Sequence, residues 1–193
     1  LQSNRWMRII SGTAKGKKIL LPDDRLTRPL KDITKESIFN IIEHSNLFES
    51  KVKDSNMLDL FSGVGSFGLE CLSRGASSVV FVENYNKVLP ILKKNIDNLN
   101  FNGNSEILEI NLFDESSLNH LKKKFDIIFI DPPYKERKLP NLVEKLIHLN
   151  LLEKEGVFII HRHNKEEDIF PNNFKILKEK SYGISKIIFG TRF

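Results

Sequence analysis

The stretch Asp131-Pro132-Pro133-Tyr134 combines residue types that together can hold an aromatic amine. The Asp131 carboxylate and the Pro132 carbonyl can each accept one proton of an exocyclic amino group, and the prolines keep the backbone rigid. The Tyr134 ring offers a surface for stacking a planar base, a contact that contributes about 1–3 kcal/mol. Holding both protons favours the pyramidal amine with an available lone pair. The motif therefore predicts group transfer to an amine such as that of guanine or adenine.

A second motif lies earlier, where Gly63, Gly65 and Gly68 match the spacing G-x-G-x-x-G. Glycine suits these positions because a Cβ would keep a ligand away from the backbone. Glu83 follows an apolar run and lies twenty residues after Gly63, where its carboxylate can accept the protons of ribose hydroxyls. The combination predicts a nucleoside-binding loop. A glycine turn that only packs a helix on a sheet remains the alternative.

Asp59 distinguishes between the cofactors that such a loop can bind. A dinucleotide would place its pyrophosphate at the helix N-terminus, and a carboxylate at residue 59 would repel it. The same carboxylate can attract the ammonium group of S-adenosylmethionine, whose sulfonium methyl is the group to be transferred. We therefore expect S-adenosylmethionine, although a carboxylate that merely caps the loop remains possible from the sequence.

These motifs need a scaffold that brings strand ends together, and the chain from residue 57 alternates apolar strands with helical stretches. This pattern is typical of an α/β, Rossmann-like, doubly wound sheet, in which ligands bind at the carboxyl ends of the strands. The pattern predicts strands at 57–61, 78–82, 106–110, 126–130 and 157–161, a terminal hairpin of 174–180 and 184–189, and helices at 67–74, 86–99, 115–123 and 139–149.

The N-terminal segment carries most of the excess positive charge. The whole chain has 30 Lys and Arg against 25 Asp and Glu, while residues 1–35 hold nine basic and three acidic side chains. Two short β-prone runs, 8–12 and 17–21, predict a small basic ribbon. A helix should follow with Asp32 as its cap and with a buried face of Ile38, Phe39, Ile41 and Ile42. A clustered basic ribbon on a near-neutral body predicts a polyanionic partner.

The composition excludes several classes of protein. The chain has 193 residues, enough for one domain with a small extension, and its single cysteine excludes a disulfide framework. No apolar run reaches the roughly 18 residues of a membrane span, and we expect a cytoplasmic protein. Cys71 is predicted to be a core residue, and Lys122-Lys123-Lys124 a solvated helix end. His161 and His163 lack an acidic partner at metal spacing, so no metal site is expected.

The nucleoside-binding loop at 59–68, the cradle, followed by Asp-Pro-Pro-Tyr at 131–134, resembles the corresponding motifs of the amino-group methyltransferases that use S-adenosylmethionine. The N-terminal stretch, with residues 8–12, 15–18, Arg28-Pro29, 32, 35–36 and 39–40, is similar to the RsmD family of bacterial 16S rRNA guanine-N2 methyltransferases. The resemblance spans nearly the whole chain. It implies a seven-stranded class I methyltransferase fold with a small N-terminal β-ribbon extension that contacts RNA. It also implies one N2-methylguanine in 16S rRNA, of the guanine(966)-N(2) type. The family usually has threonine where this chain has Leu30, whose side chain cannot form a hydrogen bond.

The resemblance also assigns roles to individual residues and to segments. Residues 1–30 would be the RNA-contacting ribbon and 31–193 the methyltransferase domain, acting as a monomer on the small ribosomal subunit without a membrane or a metal. S-adenosylhomocysteine would be the product. The cofactor would be bound by Asp59, Phe61, Gly63, Gly65, Glu83, Asn111 and Leu112, with Asn111 near the adenine amino group. Catalysis would rest on Asp131, Pro132 and Tyr134, and substrate or RNA binding on Arg8, Lys15, Lys17, Lys18, Arg28 and Pro133.

Other functions remain compatible with the motifs. The methylated group could be an adenine amine in nucleic acid or a glutamine amide in protein, although the glutamine enzymes typically have Asn where this chain has Asp131. The protein could also be a ribosome-assembly or RNA-binding factor that has lost catalysis, which the intact motif at 131–134 argues against. A dehydrogenase is disfavoured because no proton relay follows the cradle.

Overall fold

The computed structural model describes residues 6–23 and 30–193. A two-stranded ribbon is followed by a helix and then by alternating strands and helices. In chain order the elements are β1 (Trp6–Arg8), β2 (Lys18–Leu20), α1 (Asp32–His44), β3 (Asn56–Leu60), α2 (Ser66–Ser73), β4 (Ser78–Val82), α3 (Leu89–Asn98), β5 (Ser105–Leu108), β6 (Phe125–Ile130), α4 (Leu139–His148), β7 (Leu152–His163), β8 (Phe174–Tyr182) and β9 (Ser185–Arg192).

The main sheet has seven strands in the order β5-β4-β3-β6-β7-β9-β8. Strands β3 to β7 run parallel to one another, whereas β9 pairs antiparallel with both β7 and β8. Because β4 lies on one side of β3 and β6 on the other, the strand order reverses at β3. Ligands of open α/β sheets bind beside such a reversal, at the carboxyl ends of the strands. The predicted α/β fold with seven strands is confirmed.

The parallel strands are apolar on both faces because both faces are covered. On one face Met57, Val79 and Phe81 pack under α1, α2, α3 and the ribbon. On the other face Leu58 and Val80 pack with the apolar side of α4. The sheet is therefore the middle of three layers, and its carboxyl edge is left for the loops.

The ribbon is anchored to the domain by its inner side. Ile9 and Ile19 are at most 1% exposed and belong to the core, while the backbone N–H groups of Ile10 and Ser11 donate to the buried Glu70 carboxylate at 2.8 and 2.9 Å. The Ala14 N–H donates to Ser73 Oγ at 2.9 Å. The N-terminal extension is thus held in a fixed position on α2.

Several predicted boundaries are wrong for local reasons. Residues 112–120 form consecutive turns rather than a helix, with Leu118 buried at a φ of 69°. Ser117 Oγ instead donates to the Leu112 carbonyl at 3.0 Å, the kind of side-chain bond that competes with a helix. The first ribbon strand is β1 at 6–8 rather than 8–12. Lys31, not Asp32, occupies the N-cap of α1, and Asp32 is the first helical residue.

Within the described ranges, 6–23 and 30–193, no helix is both long and apolar enough to cross a bilayer. Over the same residues no group of three or more His, Cys, Asp or Glu side chains is arranged to hold a metal ion.

Candidate active site

A cavity of about 540 Å³ opens at the carboxyl ends of β3, β4 and β6, at the reversal of the strand order. The structure brings together there most of the residues predicted from the two motifs, although they come from four separate loops. Those lining the cavity are Asp59, Phe61, Gly63, Glu83, Asn111, Leu112, Asp131, Pro132, Pro133 and Tyr134.

The cavity wall carries acidic side chains and no basic Lys or Arg among the described residues. The acidic residues that line it are Asp59, Glu83, Asp131 and Glu136. Such a wall repels phosphate groups and attracts a cation. The cavity is therefore suited to a positively charged ligand and unsuited to a pyrophosphate.

The glycine loop takes its shape from positive φ angles and close packing. Gly63 and Gly65 have φ angles of 55° and 84°, a region that other residues rarely adopt. A Cβ on Gly65 would lie 2.6 Å from Leu92 Cδ1, and one on Gly68 would lie 2.4 Å from Phe81 Cε1. Gly65 and Gly68 therefore serve the packing of α2 on the sheet, and Gly65 does not line the cavity, whereas Gly63 does.

Glu83 is held in place by three backbone N–H groups. The Gly63 N–H donates to Oε2 at 2.8 Å, while those of Asn84 and Tyr85 donate to Oε1 at 2.8 and 2.9 Å. Each carboxylate oxygen has two lone pairs, so Oε2 keeps capacity for one further donor. The carboxylate is thus oriented by the end of β4 and in turn holds the glycine loop.

Asp59 is a buried carboxyl group at the floor of the cavity, 1% exposed. Burial raises the pKa of Asp59 well above its ordinary value, the N–H of Gly68 that donates to Oδ2 opposes this, and the charges of Asp131 and Glu83 add to it. A cation bound beside this group would favour its ionised form. Asp59 is therefore a group whose charge depends on what the cavity holds.

Asp131 begins the loop after β6 and is supported by a histidine. His161 Nδ1 lies 2.7 Å from Asp131 Oδ1, and the imidazole donates when the carboxylate is ionised. His161 also lines the cavity. The rings of His161 and His163 each make a T-shaped contact with the Tyr134 ring, at centroid distances of 5.9 and 5.4 Å. The sequence shows no acidic partner for His161 at metal spacing, and the structure brings one, Asp131, from thirty positions away.

Arg162 is a buried cation, 1% exposed, that contacts the loop after β6, and the sequence analysis missed it. Its Nε and NH2 groups donate to the two Asp168 oxygens at 2.8 and 2.9 Å. NH1 donates to the carbonyls of Pro133 and Tyr134 at 3.4 and 3.2 Å, and NH2 to that of Glu136 at 3.0 Å. Arg162 therefore ties the 133–136 loop to β7. A charged residue at the end of the apolar run 157–160 is the signal that could have found it.

The remaining predicted cofactor residues, Phe61, Asn111 and Leu112, also line the cavity. Phe61 has a φ of 58° and packs against Phe113 at a centroid distance of 5.9 Å. Asn111 accepts from the Phe113 N–H and donates to Asp114 Oδ1, both at 3.1 Å, and Leu112 is buried. Asn111 is exposed, and its amide is oriented by the loop that replaces the predicted helix.

The predicted basic residues that the structure describes do not line the cavity. Arg8, Lys15, Lys17 and Lys18 are exposed on the ribbon, and Arg28 lies outside the described residues. Lys35 is different, since it is fully buried and its Nζ donates to Ser66 Oγ at 3.2 Å. Burial lowers the pKa of Lys35, and the charges of Glu70 and Asp32 oppose this. Lys35 thus links α1 to the first residue of α2.

A seven-stranded sheet of parallel strands ended by an antiparallel hairpin is the class I methyltransferase fold, and here the acidic cavity lies at its carboxyl edge. The structure of this chain is similar to that of yhhF from Escherichia coli, a protein assigned as a methyltransferase. The TM-score is 0.81 at 27% identity, over 97% of this chain and 98% of that one.

The chain belongs to the family described as Conserved hypothetical protein 95, which matches residues 7–191. It is 33% identical over 183 residues to the Ribosomal RNA small subunit methyltransferase D of Haemophilus influenzae, covering 92% of this chain and 90% of the relative. It is also 33% identical over 186 residues to YlbH of Bacillus subtilis, covering 94% and 96%. The resemblance to the RsmD family is thereby confirmed.

Proposed function

We propose that this protein is an S-adenosylmethionine-dependent methyltransferase that methylates the exocyclic N2 of a guanine in 16S rRNA. The observation that carries the proposal is one cavity that joins Asp59 and Glu83 to Asp131 and Pro132, with an acidic wall free of Lys and Arg among the described residues. The name of the Haemophilus influenzae relative supports ribosomal RNA of the small subunit as substrate. The position would be the guanine(966)-N(2) type implied by the family.

The residues present fit S-adenosylmethionine, which supplies an activated methyl group on a sulfonium. Glu83 would accept from one ribose hydroxyl through the lone pair left on Oε2. Asp59 would face the ammonium group, and the acidic wall would favour the cationic cofactor over its neutral-sulfur product. Asn111 and Leu112 would border the adenine, with the exposed Asn111 amide near its amino group.

The target amine would be held in the same cavity by the loop after β6. The Asp131 carboxylate and the Pro132 carbonyl would accept its two protons, and the Tyr134 ring, positioned by His161 and His163, would stack on the base. As the amine attacks, positive charge develops on nitrogen, and the Asp131 carboxylate stabilises it. His161 keeps that carboxylate oriented toward the cavity through its 2.7 Å contact with Oδ1.

The ribbon would supply affinity for RNA, because Lys15, Lys17 and Lys18 are exposed on it and can contact phosphates. A guanine turned out of its helix would enter the cavity while the ribbon holds the surrounding RNA. In this proposal the enzyme works in the cytoplasm, as a monomer and without a metal.

The test is incubation of the purified protein with labelled S-adenosylmethionine and small subunits that lack the modification, followed by mass analysis of the nucleosides. We expect label in N2-methylguanosine. Asp131→Ala should abolish transfer while cofactor affinity, measured by calorimetry, stays within a few-fold. Glu83→Ala should instead weaken cofactor binding. Label in N6-methyladenosine or in protein would contradict the proposal, as would full turnover by Asp131→Ala.

A further inference from the structure

The two faces of the ribbon differ in chemistry. Its register pairs Trp6 with Leu20, Met7 with Ile19 and Arg8 with Lys18. Side chains alternate between the faces of a strand, so Met7 and Ile19 face the core, and both pack there. Trp6, Arg8 and Lys18 are on the other face and are exposed. The outer face of the ribbon is therefore aromatic and cationic.

Trp6 is the centre of this face. Its side chain is 41% exposed, with Lys18 Nζ 4.5 Å and Arg8 Cζ 6.0 Å from the ring. Contacts of this kind hold the cations beside the indole before any partner binds. An exposed indole flanked by two cations matches a partner that presents flat bases and phosphates side by side, which is single-stranded nucleic acid.

The outer face is also fixed relative to the cavity. The buried Asn95 accepts from the Leu20 N–H at 2.8 Å and donates to the carbonyls of Leu20 and Val64, both at 3.1 Å. Val64 lies in the glycine loop and lines the cavity. A nucleotide bound on the ribbon would therefore be held at a constant distance from the cofactor end of the site.

We infer that the outer face of the ribbon is a stacking platform for an unpaired nucleotide of the RNA substrate. Trp6 stacks on the base, and Arg8 and Lys18 contact the adjacent phosphates. That the partner is RNA rests on the proposed function. The inference adds that the RNA near the ribbon is unpaired, because bases inside a duplex are already stacked.

The chain contains one tryptophan, so fluorescence excited at wavelengths beyond the tyrosine absorption reports on Trp6. The protein is titrated with a single-stranded RNA oligonucleotide, with the same RNA annealed to its complement, and with inorganic polyphosphate as a base-free polyanion. Binding is measured in parallel by the anisotropy of dye-labelled RNA. We expect saturable quenching with the single strand, weaker quenching with the duplex, and none with polyphosphate.

Variants separate stacking from charge. Trp6→Leu keeps an apolar side chain but has no ring, and it should weaken single-strand binding by about 5- to 150-fold, the equivalent of about 1–3 kcal/mol. Trp6→Phe keeps a ring and should retain most of the affinity. Circular dichroism checks that both variants fold, and the anisotropy assay does not depend on the tryptophan.

Three results would overturn the platform: RNA binding without quenching, equal quenching by polyphosphate, or Trp6→Leu with the affinity of the wild type. Quenching or a blue shift with anionic lipid vesicles but not with RNA would also overturn it, in favour of a membrane surface. The methylation assay is read separately. Methylated guanine without quenching rejects the platform alone, and RNA quenching without methylation rejects the proposed function alone.

Discussion

Replacing Arg162 with methionine tests how the Asp-Pro-Pro-Tyr loop is held. Methionine can fill much of the space of the arginine stem but has no N–H donor. Asp168, whose side chain is 6% exposed, would lose its bidentate partner, and the carbonyls of Pro133, Tyr134 and Glu136 would lose a donor. Removing one member of a buried ion pair costs about 3–5 kcal/mol, because the other charge stays buried. We expect Arg162→Met to lower the free energy of unfolding by about that amount.

The measurement is urea denaturation, with amide hydrogen exchange of residues 134–138 as a local probe. Lys93→Met is the matched control, since it breaks an exposed pair with Glu109 whose side chains are 55% and 50% exposed. Exposed pairs contribute about 0–1 kcal/mol, so the control should be nearly neutral.

A double variant separates stability from positioning. The double variant Arg162→Met with Asp168→Leu removes both charges of this buried pair, so most of the lost stability should return. The loop carbonyls still lack their donor, so exchange at 134–138 should stay fast and methyl transfer slow, with kcat lowered more than KM is raised. A loss below about 1 kcal/mol in the single variant, or full recovery of exchange protection in the double variant, would refute the reasoning.

Three further predictions concern the glycine loop, the buried acid and the ribbon. Gly68→Ala should destabilise by about 1–3 kcal/mol in urea denaturation, because its Cβ would meet Phe81 at 2.4 Å, whereas Gly103→Ala, with no atom within 4 Å, should be neutral; equal effects would exclude the packing role. Between pH 3.8 and the raised pKa of Asp59, the folded wild type binds more protons at this group than the unfolded chain does, so its stability falls as pH rises. Asp59→Asn has no proton to lose there and should therefore gain stability relative to the wild type as pH rises above 3.8. A pH-independent difference in unfolding free energy would contradict the raised pKa. Replacing Lys15, Lys17 and Lys18 by alanine should reduce the slope of log affinity against log salt for single-stranded RNA by about two, while alanines at Lys122, Lys123 and Lys124 should leave it unchanged; the reverse pattern would move the RNA surface.

The strands could be predicted from sequence because a buried parallel strand needs a continuous apolar run, as at 126–130 and 78–82. The segment 112–120 shows where this fails. Its composition permits a helix, but the Leu118 side chain is buried, Ser117 bonds back to Leu112, and Lys145 Nζ donates to the Asp114 carbonyl at 2.7 Å from α4. The Ser117 bond is local, but the contact from Lys145 comes from a distant part of the chain, so the local pattern could not include it.

The two strand-end motifs are local in sequence, and residue types at fixed spacing after a strand determined that Asp59, Glu83 and Asp131 would gather at one edge of the sheet. Only the tertiary structure decided that His161 supports Asp131, that Arg162 holds the loop, and that Glu70 binds the ribbon to α2. The reason is physical: tertiary packing brings groups thirty to sixty positions apart within hydrogen-bond distance, and nothing in a local pattern records which elements become neighbours.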